Sequence, residues 1–133
     1  MERPTSSDGT VLRLAAEPQA ASRARRAAVA LACELGAAPD ARDSIAIAVT
    51  EAVANVVVHA YREGPQGQVE VALRGDGECL EVVVSDSGVG MRARDDSPGL
   101  GLGLGLMAAL ADVFEVKPSR AGGTAVRLAF RLR

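Results

Sequence analysis

Aromatic residues are nearly absent from this chain: tryptophan does not occur, and Phe, Tyr and Trp together make up 2% of its 133 residues. A core must therefore be assembled from Ala, Val and Leu, and a single-stranded nucleic acid would find no stacking platform. Positive charge is not in excess either. The formal net charge is −2 and the arginines are scattered rather than striped, which excludes the basic footprint of a nucleic-acid binder. No uncharged run reaches the length of a membrane span; the longest, Ser97 to Ala111, is short and filled with glycine. The opening "MERPTSSDGT" lacks the basic-then-apolar pattern of an export signal, so a cytoplasmic location is expected. Histidine occurs once, at His59, and Cys33 and Cys79 share no metal-ligand spacing. Both cysteines sit in apolar runs and are expected to be small buried residues rather than a disulfide. No G-x-x-x-x-G-K-[ST] occurs, Lys117 being the sole lysine, so a P-loop is excluded.

What is present is 48% apolar residues, enough for one buried core in a chain of this length. Residues 1–9 are polar and expected to be a flexible N-terminal segment, with a single domain over 10–133. "TVLRLAA" (10–16) alternates as a strand does. Residues 17–36 are good helix formers, with Pro18 near the start and Gly36 just past the end. A second helix is expected over 38–61, capped by Asp40 or Asp43, with Ile45, Val49, Ala52 and Val56 on one stripe and Glu51, Asn55 and Arg62 on another. "VEVALR" (69–74) and "CLEVVVSD" (79–86), joined by Gly75-Asp76-Gly77-Glu78, read as an antiparallel hairpin. Residues 87–100 read as a loop, 104–114 as a helix, and 114–119 with 124–133 as a closing hairpin. The order β-α-α-β-β-loop-α-β-β predicts a two-layer α/β sandwich, a mixed, largely antiparallel sheet covered on one face by helices.

Three groups of residues can carry chemistry. Glu51 and Asn55 lie one helical turn apart on one face. A carboxamide oxygen suits Mg²⁺, and a neighbouring carboxylate can take a proton from a hydroxyl; the competing reading is that both solvate an outer helix face. Asp86, closing a buried strand, can accept a hydrogen bond from the amine of adenine, with Gly88 and Gly90 letting backbone pass close to a flat ring; Asp-Ser-Gly is also ordinary turn chemistry. In "PGLGLGLGLM" the glycines at 99, 101, 103 and 105 precede a helical stretch, where backbone N–H groups can meet phosphates. The spacing misses G-x-G-x-x-G because Leu104 stands where the last glycine would be. Thr124, heading the last strand, can support Asp86 or be a cross-strand surface residue.

The series "TEAVANVVVHAY", "DSGVGM", "GLGLGLM" and "GGT" resembles the N, G1 and G2 boxes and terminal Thr of the GHKL ATP-binding fold, which includes histidine-kinase catalytic domains and gyrase-type ATPases. The strongest likeness is to the bacterial anti-sigma-factor serine kinases, whose "E-A-x-x-N-x-x-x-H-x-Y" box is similar to Glu51–Tyr61 and whose "L-x-x-A-L-A-D" is similar to Leu106–Asp112. The resemblance spans residues 10–132. It implies ATP and Mg²⁺ as cofactors, Asn55 coordinating the metal, Asp86 reading adenine, Gly88 and Gly90 lining the base, and Met91 among the ATP-binding residues. It further implies Gly101, Leu102, Gly103, Leu104 and Gly105 around the phosphates, Thr124 behind Asp86, a lid over 91–100, and Glu51 as the base that activates a serine hydroxyl of a partner. An anti-anti-sigma protein and a sigma factor are the implied partners, and a homodimer the implied assembly, with no direct nucleic-acid contact. The alternative is a non-catalytic ATP-binding module whose lid switches partner affinity. The lid "MRARDDSPGL" departs from the family in its shortness and its Asp95-Asp96 pair; Arg92 or Arg94 is placed to reach a phosphate. The G2 box is read as Gly101-Leu102-Gly103 rather than Gly99-Leu100-Gly101, because that sets "LMAALAD" at the family's helix distance.

Overall fold

A computed structural model describes residues 9–63, 67–86, 100–118 and 124–133, with backbone alone over 59–63 and 100–104. The elements are β1 (Thr10–Ala15), α1 (Gln19–Glu34), α2 (Pro39–Glu63), β2 (Gln68–Gly75), β3 (Cys79–Asp86), α3 (Leu100–Leu110), β4 (Val113–Pro118) and β5 (Thr124–Arg131). The strands run β1-β2-β3-β5-β4, and every pairing is antiparallel, so the sheet expected to be mixed is antiparallel throughout the described strands. Strict alternation is the cause of the layering. Val69, Val71 and Leu73 of β2, Leu80, Val82 and Val84 of β3, and Val126, Leu128 and Phe130 of β5 all point into the core. Val71 pairs with Val84 and Val84 with Val126, so apolar rows cross three strands. The opposite face carries charged residues, where Arg127 Nε meets Glu81 Oε2 at 2.6 Å and Nη1 meets Glu115 Oε1 at 3.3 Å. Such partly exposed pairs contribute about 0–1 kcal/mol each and act mainly on register.

The helices cover the apolar face: α1 over β1 and β2, α2 over β2, β3 and β5, and α3 beside β4. In α1 the buried residues are Ala20, Ala24, Ala28 and Ala32, an i+4 row of methyl groups that lets α2 approach closely. Gly36, at φ +86°, ends α1: its N–H donates to the Cys33 carbonyl at 3.0 Å and that of Ala37 to the Ala32 carbonyl at 2.9 Å, a Schellman cap. Pro39 is the first residue of α2, so neither Asp40 nor Asp43 is its N-cap; Asp40 lies in the first turn, where its charge favours the helix dipole. The predicted stripe Ile45, Val49, Ala52, Val56 is buried.

The β2–β3 turn is tied by Asp76, whose Oδ1 accepts the N–H of Glu78 at 2.8 Å and of Cys79 at 3.0 Å. A Cβ on Gly75 would stand 2.8 Å from Leu35 Cδ1 and 2.9 Å from the Cys79 carbonyl oxygen. Gly75→Ala is therefore expected to destabilise the protein by about 1–3 kcal/mol, read as a lowered urea midpoint. Gly77→Ala, with only Arg133 Nη2 at 4.0 Å, serves as the control. Equal midpoints for the two variants would show that the α1–hairpin contact yields freely.

Two expectations are corrected here. The third helix spans Leu100–Leu110, not 104–114. Its glycines cost about 1 kcal/mol each in a helix, and the fully buried Met107, packed into the core beside α2, offsets them. The helix cannot continue to 114 because Asp112 already belongs to the sheet margin: its N–H donates to the Ala129 carbonyl at 2.9 Å, and its Oδ2 accepts the Arg131 N–H at 2.7 Å. Neither cysteine is fully buried. Cys33, one position past the alanine row, is exposed with Arg42 Nη1 at 3.7 Å from its sulfur. Cys79 is half-buried on the outward face of β3, where burial and then the Asp76 charge push its thiol above the ordinary range.

Candidate functional site

Topology brings six element ends together. β2 begins at Gln68, and its Val69 pairs with Asp86, the last residue of β3. The link from α2 to β2 is short, so the C-terminal half of α2 runs to that same end of the sheet. The β3–β5 register pairs Val84 with Val126 and Ser85 with Ala125; one step further sets Thr124 opposite Asp86. β4 leaves α3 opposite Ala129, at the other end, and reaches Thr124 with Pro118. α3, about 16 Å long at 1.5 Å per residue, therefore starts toward the Asp86 end. Asn55, Asp86, Thr124 and the first turn of α3 thus belong to one end of the molecule.

Asp86 continues the inward alternation of β3 and is buried, the one charged or polar side chain in that class among the described residues. A carboxylate so placed is costly unless engaged, and both Asp86 and Thr124 have interaction partners in the structure. Asn55 sits at the flank of α2's core stripe. Its Nδ2 is buried and has no hydrogen-bond partner among the described residues. An unmet buried amide costs about 1–3 kcal/mol, so the position asks for a ligand. A half-turn of the carboxamide puts Oδ1 in the same place, where it would meet a hard cation. The residues present thus fit a Mg²⁺–nucleotide on this observation. Glu51, half-buried, stands one turn before Asn55 on the same helix. Among the described residues no group of three or more His, Cys, Asp or Glu forms a metal cage.

The glycine-rich segment differs from its expected form. Gly101, Leu102, Gly103, Leu104 and Gly105 all lie inside α3 rather than ahead of it. N–H groups of the first turn, Gly101 among them, have no acceptor within the helix itself, whereas the N–H of Gly105 is directed into the helical ladder. Nothing lies within 4 Å of a Cβ built on Gly105, so no crowding demands glycine there. Gly88, Gly90, Met91, Arg92, Arg94 and the lid expected to begin at 91 lie outside the described residues. A groove of about 410 Å³ beside the start of α1, lined by Leu14, Glu17, Ser22, Arg23 and Arg26 among others, contains none of the candidate residues. Sequence patterns do not single out Ile47 and Val58, two exposed apolar residues of α2, although a helical wheel sets both opposite its core stripe. No described helix is long and apolar enough to cross a membrane.

Comparison with known proteins agrees with this fold. Residues 14–130 match the family model of the histidine kinase-like ATPase domain. The serine-protein kinase RsbW of Bacillus velezensis is 32% identical over 139 aligned positions, covering 93% of this chain and 86% of that protein. The anti-sigma F factor of Heyndrickxia coagulans is 37% identical over 60% of this chain and 63% of its own length. Among solved structures, the RsbU and RsbW domains of Rv1364c from Mycobacterium tuberculosis superpose with a TM-score of 0.72 at 27% identity, covering 93% of this chain and 32% of that larger one. The two-layer fold and a family match that runs from the first strand to the last agree: this chain belongs to the histidine kinase-like ATPase domain family, with relatives named serine-protein kinase and anti-sigma F factor.

Proposed function

We propose that this chain is an ATP-dependent protein serine kinase of the anti-sigma type, acting on an anti-anti-sigma partner and, in the unphosphorylated branch of the cycle, holding a sigma factor. The observation that carries it is the buried Nδ2 of Asn55, unmet among the described residues, one turn from Glu51 on the helix that runs to the Asp86 end of the sheet. Asp86 accepts a hydrogen bond from the adenine amine, and Thr124 supports it from the adjacent strand. Asn55 would hold Mg²⁺, which supplies charge neutralisation at the phosphates when bound. N–H groups of the first turn of α3 would face the same phosphates. Glu51 takes the proton as the serine O–H bond breaks; the serine oxygen bonds to the γ-phosphorus, whose bond to the leaving oxygen breaks, releasing ADP.

ATP titration by calorimetry, with and without Mg²⁺, tests the nucleotide half of the proposal. Asp86→Ala is expected to weaken ATP binding by about 10–100-fold, the loss of a hydrogen bond to a buried charged group, with the fold verified by thermal melting. Equal ATP affinity for the folded variant and the wild type would remove Asp86 from the site. The catalytic half is tested by incubation with ATP, Mg²⁺ and the anti-anti-sigma proteins encoded by the source genome, with phosphoserine as the expected product.

A further inference from the structure

The outward line of α2 is apolar where a solvated helix carries charge. Ile47 is 45% exposed and Val58 57% exposed, with Ala54 half-buried between them. At 100° per residue, positions 54 and 58 each fall within about 20° of Ile47, on either side of it, and Glu51 lies about 40° from Ile47. The apolar line therefore runs beside the carboxylate, beginning one turn before it and ending two turns after it. Helix stability does not ask for these residues, since β-branched side chains are poorer helix formers than the Lys, Glu or Ala that would serve at an exposed position. Toward the N-terminus the same face carries Asp40 and Asp43, both exposed and neither in an ion pair among the described residues.

Given the kinase reading above, on which this rests, anything that delivers a hydroxyl to Glu51 must lie over the residues on either side of it. Ile47 is about 6 Å and Val58 about 10 Å from Glu51 along the helix axis, within the footprint of one protein segment. A second copy seated permanently on this line would cover the base. We infer that Ile47, Ala54 and Val58 form the docking line for the protein substrate. That substrate presents apolar side chains beside its acceptor serine and a basic side chain toward Asp40 and Asp43. The protein thus selects its substrate through α2 itself, the helix that carries the base.

The test uses the full chain and a panel of purified anti-anti-sigma proteins and sigma factors encoded by the source genome. Ile47→Ala/Val58→Ala should raise KM, and the Kd measured directly by calorimetry, for the phosphorylated panel member by at least about ten-fold, with kcat and ATP affinity retained. Alanine is the better helix former, so loss of fold does not enter the result. Wild-type affinity should fall with added salt, and Asp40→Asn/Asp43→Asn should remove most of that dependence. Phosphoryl transfer with KM and Kd unchanged in the alanine variant overturns the docking line and leaves the kinase reading standing. Partner binding lost in the alanine variant, in a wild type that transfers no phosphate, keeps the docking line and overturns the kinase. Absence of both binding and transfer across the panel overturns both. A wild-type dimer that dissociates on the same two substitutions, seen by sedimentation, assigns the line to a second copy and overturns it as a substrate site.

Discussion

Glu51→Gln is expected to lower phosphoryl transfer by about 10²–10⁴-fold, the range of general-base catalysis, while ATP binds as in the wild type. The substitution keeps the shape of the side chain and its place one turn before Asn55, so positioning of nucleotide is retained and only the proton acceptor is lost. Single-turnover transfer to the partner, followed beside an ATP titration, separates the two effects. A Gln variant that transfers at the wild-type rate would place catalysis in the positioning and charge neutralisation of the phosphates alone. A wild type that binds ATP and partner but never transfers phosphate would make the chain a nucleotide-gated binding module, in which Glu51 has no chemical task.

Phe130→Ala is the substitution with the largest expected cost to the fold, about 3–5 kcal/mol. Phe130 is the largest fully buried side chain among the described residues. Its neighbour across the ladder is Leu80 at the start of β3, and with so few aromatics in the sequence no other ring can move into the space. A loss of that size is a large share of the roughly 5–15 kcal/mol that holds a typical domain folded. Urea unfolding should show a lowered midpoint with little change in slope. A shift below about 1 kcal/mol would mean that Leu80 and its neighbours collapse into the vacated volume.

The strands were the most legible part of the sequence, because period-two alternation has one reading when turn residues bound it. "CLEVVVSD" became β3 with the expected bounds, and of the expected link Asp76-Gly77-Glu78 became the turn while Gly75 joined β2. Helix α1 ended where Gly36 marked it, since only a residue at ease with positive φ closes a Schellman cap. The glycine-rich stretch misled for a physical reason: Gly and Leu at alternate positions imitate a strand-like pattern, and local propensity opposes the helix. Burial of Met107 beside α2 decides otherwise, and no local pattern reports a tertiary contact. Cys33 was legible after all. The row Ala20, Ala24, Ala28, Ala32 puts position 33 a hundred degrees off the core. Of the candidate site, residue types and order were readable, and Asp86 could be assigned inward from the alternation of β3. The orphaned amide of Asn55 could not, because it depends on which side of α2 its neighbours occupy. Asp112 shows the opposite case: a residue conspicuous for its family resemblance turns out to hold β5 through the Arg131 N–H.

β5 comes last among the strands in chain order yet sits inside the sheet, between β3 and β4. Leu132, just beyond it, is buried; its N–H donates to the Glu78 carbonyl at 2.9 Å, and its own carbonyl receives the Ala38 N–H at 2.7 Å. During synthesis, a nascent chain lacking this strand would present the valine-rich margin of β3 as an open edge, with the two large helices already made but not fastened to the turn below them. The ribosome must deliver the keystone before the vault can close, so a premature stop near position 120 would leave a sticky remnant, not a smaller version of the same protein.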